Sequence, residues 1–409
     1  MTFQLLTTLT AAAGLGMIGL AYNSYAAYFM FSALVALVFV AFVSSRLSGR
    51  VLELRRDVAD RVFENDLFPI VLEVTNHGHV PLFLLKVTDK LARFLAADRA
   101  LEFLVPALWP GETARLTYMA RGLKRGVHRL GPVMLSVCDP FGLFAHGVEL
   151  KDHGEAVIFP RPVPLAGEVV RSGAEPRPIA TGERARGSES GLEFYGIRDY
   201  RPGDELRRIH WAATAHHNRL TVIEFDRGVS ENLAVVLDTR VGTEYGTGLE
   251  TSLELGVRAA ASLLHWSLSG EGAASLALDS AEGMHWLETD RLDRSDELLE
   301  LLARAQAEGS VPLSAALEWA VPLLPFGATV WVITAAPDPH LAETIATLVR
   351  NVDATGIVVA LVEPESFDGR TRIPSDLEAE LRIAGAVTVP LRRGDDLGEA
   401  LGNVLSTAP

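Results

Sequence analysis

Apolar side chains dominate two runs at the start of the chain, and the first 45 residues contain no Asp, Glu, Lys or Arg. The runs are Gln4–Tyr22 and Ala26–Val43, separated by the polar Asn23-Ser24-Tyr25. A helix needs about 20 predominantly apolar residues to cross the hydrocarbon core of a bilayer. The pattern therefore predicts a transmembrane helical hairpin over residues 1–45.

Basic residues begin only after the second run, at Arg46, Arg50, Arg55 and Arg56. Because cytoplasmic flanks carry the excess of Lys and Arg, we expect this side to face the cytoplasm. A cleaved signal peptide fits less well, since it needs a positively charged start and a small-residue cleavage site. The prediction is a multi-pass protein of the inner, cytoplasmic membrane with its soluble domains in the cytoplasm.

Short apolar runs and turn signals alternate through residues 46–165. Strand-like runs such as Leu82–Thr88 and Val133–Val137 are bounded by turns such as Asp139-Pro140-Phe141-Gly142. Runs of this length and spacing are typical of an all-β, sandwich-like domain. Residues 166–191, rich in Gly, Pro, Ser, Glu and Arg, indicate a linker or long loop.

Residues 231–409 have a different period, in which continuous apolar strands alternate with amphipathic helices. The first strand, Leu233–Leu237, ends at Asp238, and Ala274–Leu278 with His285–Glu288 predicts an antiparallel hairpin. Alternation of this kind predicts an α/β doubly wound, mostly parallel sheet. Ligands of such sheets bind at the carboxyl ends of strands, which makes Asp238 the first candidate position.

Composition narrows the function classes. The chain has 409 residues, with 37 Lys and Arg against 52 Asp and Glu, and its net charge of −15 argues against general nucleic-acid binding. The single cysteine, Cys138, excludes a disulfide framework and a multi-cysteine metal cluster within one chain. The glycine spacing of residues 14–19 matches a dinucleotide fingerprint but lies inside a predicted span, so we expect no nucleotide cofactor.

An arginine-rich motif occupies residues 192–230, just before the α/β domain. Between Arg184 and Arg227 there are eight Arg and no Lys, against seven Asp and Glu. Arginine favours planar, bidentate bonding to carboxylates or phosphates. Ten residues are candidates for binding a partner: Arg198, Asp199, Tyr200, Arg201, Gly203, Asp204, Arg207, Arg208, His210 and Trp211.

Three interpretations of this motif remain open. The arginines brace neighbouring domains through internal acidic partners, or they form a docking surface for another protein. In the third, His210, His216 and His217 belong to a metal or catalytic site. His210 and His217 could share a helix face, but catalytic metal sites commonly use three protein ligands, and no acidic residue is well placed by spacing to be the third.

The predicted order of strands, with an early antiparallel edge hairpin, resembles a von Willebrand factor A domain. That resemblance implies a D-x-S-x-S loop for a divalent cation, but the loop here reads Asp238-Thr239-Arg240-Val241-Gly242. Both serine positions are lost, and the charge of Arg240 would repel a cation. Asp238 and Asp338 are therefore only weak metal candidates, and the alternative is that Asp238 caps a loop or pairs with Arg240.

The motif carries a family resemblance. Residues 196–204, followed by Arg207-Arg208-Ile209-His210-Trp211 and Arg219-Leu220, closely resemble the signature of the bacterial domain of unknown function fifty-eight (DUF58). The turn at residues 139–143 and the N-terminal hairpin are similar to that family as well. The resemblance implies a membrane-anchored protein with a von Willebrand factor A-like domain and a MoxR-type AAA+ ATPase as partner.

The prediction is therefore a membrane-anchored, non-enzymatic adaptor or scaffold that binds a partner protein, without a cofactor. Its contacts are lipid, through the hairpin, and the ATPase, with no nucleic acid. The alternative is a metal-dependent binding protein or hydrolase centred on Asp238 or on His210, His216 and His217.

Overall fold

A computed structural model describes most of the chain, in two compact units, Met1–Pro160 and Arg161–Pro409. The described residues are 3–48, 52–98, 101–139, 141–150, 154–165, 193–199, 214, 221–226, 232–325, 327–351 and 356–407.

Two apolar helices open the first unit, α1 (Phe3–Tyr22) and α2 (Tyr25–Ser48). They pack against each other, and a Cβ placed on Gly19 would lie 3.1 Å from the ring of Tyr28, so glycine permits this close approach. Residues Gln4–Tyr22 and Tyr25–Ser44 are each long and apolar enough to cross a bilayer. These helices confirm the predicted apolar pair and indicate a membrane anchor, and α2 continues beyond the predicted end at Val43.

The rest of the first unit is β-rich, as predicted. Its strands are β1 (Leu52–Val58), β2 (Val62–Phe63), β3 (Leu67–Asn76), β4 (Leu82–Thr88), β5 (Leu95–Ala97), β6 (Glu102–Leu108), β7 (Thr113–Gly122), β8 (Gly126–Arg129), β9 (Val133–Cys138), β10 (Ala145–Leu150) and β11 (Glu155–Phe159). They form sheets of order β1-β3-β7-β5, β10-β9-β4-β6 and β2-β11-β8. Alternate residues such as Ile70, Leu72 and Val74 are buried, which is the pattern of strands with one face on a core.

The strands of the second unit build a six-stranded mixed sheet and smaller ribbons. They are β12 (Glu193–Asp199), β13 (Thr221–Asp226), β14 (Leu233–Leu237), β15 (Gly246–Thr247), β16 (Glu250–Thr251), β17 (Ala274–Ser280), β18 (Gly283–Thr289), β19 (Thr329–Thr334), β20 (Gly356–Val362) and β21 (Val387–Leu391). The large sheet has the order β18-β17-β14-β19-β20-β21, parallel except for β18. The predicted α/β region with its antiparallel hairpin is therefore confirmed.

Helices cover both faces of this sheet. They are α3 (Ser252–Ser269), α4 (Ser295–Arg304), α5 (Leu313–Ala320), α6 (Leu341–Asn351), α7 (Glu365–Asp368), α8 (Ser375–Ile383) and α9 (Leu397–Thr407), with 3₁₀ turns at Leu292–Arg294 and Val321–Leu323. Val236, Val332 and Val359 share one buried face with α5, α6 and α8. On the other face, Gly256 of α3 lies against Leu237 and Ile333. Strands buried on both faces explain the continuous apolar runs in the sequence.

Candidate functional site at the carboxyl edge of the sheet

The central strands β14 and β19 bring two polar side chains together where both strands end. They pair in parallel with Leu237 opposite Ile333, so Asp238 and Thr334 follow at neighbouring positions. The Thr334 hydroxyl donates a 2.6 Å hydrogen bond to Oδ2 of Asp238. Apolar packing on both faces of the sheet fixes the two strand ends, and through them the site.

Arg240 closes this edge by a bidentate ion pair with Asp238. Its Nε lies 2.8 Å from Oδ1 and its Nη2 lies 2.7 Å from Oδ2 of the carboxylate. The same Nη2 also donates to the backbone carbonyl of Ala336, after β19. The Asp238 side chain is 1% exposed and that of Arg240 19%, so the pair is largely withdrawn from water. Both roles predicted for Asp238 without a metal are observed, because its Oδ1 also accepts a 3.2 Å hydrogen bond from the backbone N–H of Arg240, which caps the loop.

The electrostatics of the pair favour its charged form. Hydrogen bonding to Asp238 raises the pKa of Arg240 above its ordinary value, and the charges of Asp238 and Asp338 add to that effect. The Asp238 carboxylate accepts four hydrogen bonds, three from Arg240 (its Nε, its Nη2 and its backbone N–H) and one from the hydroxyl of Thr334. The guanidinium thus occupies the space beside the carboxylate that a cation would need.

A neighbouring loop is tied to the same edge by Asp279, which sequence reasoning missed. Its Oδ2 accepts hydrogen bonds from the backbone N–H groups of Ser310, at 2.6 Å, and Val311, at 2.8 Å. Thr239 donates its hydroxyl to the backbone carbonyl of Asp279. A Cβ on Gly309 would lie 2.9 Å from Oδ2 of Asp279, so glycine allows this approach. The sequence signal that could have identified Asp279 is its position directly after the predicted strand Ala274–Leu278. The last residue of that strand pairs with Leu237, so Asp279 and Asp238 end neighbouring strands.

Asp338, the second metal candidate, instead accepts hydrogen bonds from backbone N–H groups, including one at the start of α5. Its Oδ2 accepts a 2.9 Å hydrogen bond from the N–H of Ser314, in the first turn of α5, and its Oδ1 one of 3.0 Å from the N–H of His340. Carboxylates at helix starts stabilise the free N–H groups there. Among the described residues, no group of three or more His, Cys, Asp or Glu side chains is placed to hold a metal ion.

Little space remains beside Asp238. The cavity there, lined also by Thr243, Ser252 and Thr334, has a volume of about 10 Å³. That volume is about the minimum for one water molecule. A larger cavity of about 180 Å³ lies elsewhere on this edge, at the ends of β20 and β21, where it is lined by side chains such as Glu363 and Arg372. The side chain of Val241, immediately after Arg240, is exposed on the surface. The surroundings of Asp238 thus offer a surface for contact rather than a chamber for a small substrate.

Most of the predicted partner-binding motif lies outside the described residues, including Tyr200, Arg201, Gly203, Asp204, Arg207, Arg208, His210 and Trp211. The histidines of the alternative site, His216 and His217, lie outside them as well. Arg198 and Asp199 belong to β12, which pairs with β13 in antiparallel register. Because Asp199 pairs with Thr221, the chain leaves and re-enters this ribbon at one end. Thr214, in the connection between β12 and β13, has helical backbone conformation.

Comparison with solved structures gives only distant likenesses. Native alpha-2-macroglobulin of Escherichia coli, from domain MG7 to its C-terminus, is 16% identical with a TM-score of 0.24, covering 28% of this chain and 17% of that one. The CARDB domain of a Pyrococcus furiosus protein is 21% identical with a TM-score of 0.19, covering 28% and 95%. A cohesin module from Clostridium perfringens is 13% identical with a TM-score of 0.19, covering 27% and 98%.

Scores this low support no functional comparison, and no curated protein matches the chain. A protein-family model does match, over residues 196–370. The matched part begins within β12, contains all but the first four residues of the arginine-rich motif together with the Asp238–Arg240 pair, and ends just after α7. Residues 196–370 are thus similar to the family described as protein of unknown function DUF58.

Proposed function

We propose that the protein is a membrane-anchored, non-enzymatic adaptor whose α/β unit and arginine-rich motif bind a partner protein. In this proposal α1 and α2 cross the membrane as a hairpin. The basic residues that follow α2, including Arg50, Arg55 and Arg56, favour a cytoplasmic position for the rest of the chain.

We assign the α/β unit to the von Willebrand factor A-like class. The sheet order, with β14 at the centre and the antiparallel β18 at one edge, supports this assignment. So does Asp238 at the end of the first central strand, the position expected from the family resemblance. In this chain Arg240 takes the place of the serine that would help to hold a cation there.

The observation that carries the proposal is the closed site around Asp238, at the position where ligands of such sheets bind. The buried Asp238 carboxylate is engaged by Arg240 and Thr334, and the cavity beside it has only about 10 Å³. General acid–base or metal chemistry would need an accessible group with room for a substrate. Exposed apolar side chains at the rim, such as Val241, support protein contact instead.

The arginine-rich motif supplies the second part of the contact. The β12–β13 pairing places Asp199 opposite Thr221, so the connection 200–220 starts and ends at the same end of this ribbon. Arg207 and Arg208 would form directional bonds to acidic groups, and Trp211 would be an aromatic anchor. By family resemblance, the partner is a MoxR-type AAA+ ATPase.

Co-purification from native membranes tests this proposal. The full-length protein should retain the ATPase, and Arg207→Ala/Arg208→Ala should abolish its retention with a nearly unchanged unfolding temperature. The matched control is Arg392→Ala/Arg393→Ala, another adjacent arginine pair, whose exposed side chains pair with Glu363 and Glu250. The control should retain the ATPase.

Two results would count against the proposal. Equal ATPase retention by both double variants would remove the motif from the interface. A large loss of stability in Arg207→Ala/Arg208→Ala alone would instead assign these arginines to internal bracing of the unit.

A further inference from the structure

One end of the β-rich unit gathers several chain connections next to the apolar helices. Leu52, at the start of β1, pairs with Asn76 at the end of β3, while Leu82 of β4 pairs with Leu108 of β6. Phe83 pairs with Cys138 at the end of β9. The turns after β3, β6 and β9 therefore lie at the end where the chain arrives from α2, which we call the hairpin-proximal end.

The turn after β9 is held in a defined shape by a buried aspartate. Asp139 is 1% exposed, and its carboxylate accepts hydrogen bonds from the backbone N–H groups of Phe141, at 2.8 Å, and Phe144, at 2.6 Å. The N–H of Gly142 donates to the backbone carbonyl of Asp139, and Gly142 has the positive φ of 69° that glycine tolerates. This turn therefore presents Phe141, Leu143 and Phe144 in fixed directions.

Leu143 and Phe144 reach the apolar helices themselves. Leu143 forms a buried cluster with Leu5 and Ala41, against which Leu37 and Phe144 also pack. The ring of Phe144 meets that of Phe42 edge-on, with centroids 5.6 Å apart.

The position of this contact along α2 shows how far it lies inside the apolar span. Leu37 lies seven residues before Ser44, the last residue of the apolar span. At 1.5 Å per residue the cluster extends roughly 10 Å inside the end of the span. The turn thus lies beside helix surface that is itself apolar enough for a bilayer interior.

Two aromatic side chains at the same end remain exposed. Phe141 is 50% exposed, and Trp109, which follows β6 at this end, is exposed as well. Two strand spacings separate β9 from β6 in the sheet, so the strand ends that precede these two residues lie roughly 10 Å apart. Tryptophan is enriched where membrane meets water, because its ring is apolar and its N–H polar.

We propose that the hairpin-proximal end of the β-rich unit is a lipid-binding surface, in which Phe141 inserts into the acyl boundary and Trp109 lies at the headgroup level. The bilayer is the partner of this surface, because the surface is continuous with the apolar span of α2 and because Leu143 and Phe144 contact the helices within that span. This inference rests on the proposed membrane hairpin. It makes the β-rich unit part of the membrane attachment rather than a spacer held away from it.

Site-directed spin labelling of the full-length protein tests this inference. Cys138 is the single cysteine, so Cys138→Ser provides a background for Phe141→Cys. The matched control is Leu67→Cys, because Leu67 is also 50% exposed but begins β3, nine residues and roughly 30 Å from Asn76 at the other end. Val35→Cys, on the exposed face of α2, reports on the anchor alone.

Each labelled protein is reconstituted in vesicles of phosphatidylethanolamine and phosphatidylglycerol, and collisions with oxygen and with a water-soluble nickel chelate are compared. We expect the ratio of oxygen to nickel accessibility at position 141 to exceed that at position 67 several-fold and to approach that at position 35. A lipid-like label at 35 with an aqueous label at 141 would overturn the lipid-binding surface and leave the anchor standing. An aqueous label at 35 would overturn both proposals, and a label at 141 shielded from both reagents would replace lipid with a protein contact.

Discussion

Replacing Arg240 by serine tests whether the guanidinium stands where a cation would otherwise bind. Arg240→Ser leaves the Asp238 carboxylate buried, with the Thr334 hydroxyl and the backbone N–H of residue 240 as its remaining donors. Removing one partner of a buried ion pair costs about 3–5 kcal/mol. Because the Arg240 side chain is 19% exposed, we expect about 3 kcal/mol, which is roughly a 150-fold rise in the opening equilibrium of the sheet.

The same substitution adds a hydroxyl beside two oxygen groups already present, Asp238 and Thr334. Hard divalent cations prefer such oxygen ligands. A cation that binds only the folded protein stabilises it by about 2.7 kcal/mol when its free concentration is a hundred times its dissociation constant. We therefore expect Mg²⁺ or Mn²⁺ to restore most of the stability that Arg240→Ser loses.

Hydrogen exchange of the peptide that contains Thr329–Thr334 measures this stability in the full-length protein, because β19 is a central strand of the sheet. Calorimetry with Mn²⁺ measures the binding directly. The matched control is Arg291→Ser, since Arg291 also forms a bidentate pair with an aspartate two residues away, Asp293, but on the exposed surface. The control should change exchange little and gain no affinity for the cation.

Two outcomes would refute this reasoning. If Arg240→Ser exchanges as slowly as the natural protein without metal, the buried pair contributes nothing to stability. If the natural protein itself binds Mn²⁺ one to one and loses that binding in Asp238→Ala, a cation coexists with Arg240, and the metal-dependent alternative becomes the better description.

Four further predictions concern the β-rich unit. Asp89→Ala removes an ion-pair partner of the buried Arg56, and hydrogen exchange of β3 should report a loss of about 3–5 kcal/mol in the free energy of unfolding. Tyr118→Phe removes only the 2.6 Å hydrogen bond that its hydroxyl donates to Asp89. We therefore expect the same measurement to show a smaller loss, of about 1.5 kcal/mol in the free energy of unfolding. Asp139→Ala releases the turn at residues 141–144, and their exchange should accelerate while the core strands stay protected. Burial and the charge of Asp139 raise the pKa of Cys138 above its ordinary value, so alkylation at neutral pH should be slower in folded than in unfolded protein.

The hydrophobic pattern was enough to predict both apolar helices and the strands of the large sheet. Leu233–Leu237 has the predicted bounds, because a strand buried on both faces must be apolar throughout. By contrast, β10 was not predicted, since most of its side chains are exposed and only Val148 and Leu150 are partly buried. Helix α9 was also missed. Its two glycines lower helix propensity, and burial of Leu397 and Leu401 stabilises it only in the folded unit.

The contacts of the Asp238 site and of the turn at residues 139–143 became clear only from the tertiary structure. The local sequence pattern allowed Asp238 to cap a loop or to pair with Arg240. It could not show that Thr334, 96 positions away from Asp238, completes the same site. Nor did it relate Leu143 to Leu5 and Ala41, although the turn itself was predicted. Local periodicity determines which elements form, because it records the faces that must be buried. Which side chains then meet depends on how sheet register and helix packing bring distant segments together, and no short stretch of sequence contains that information.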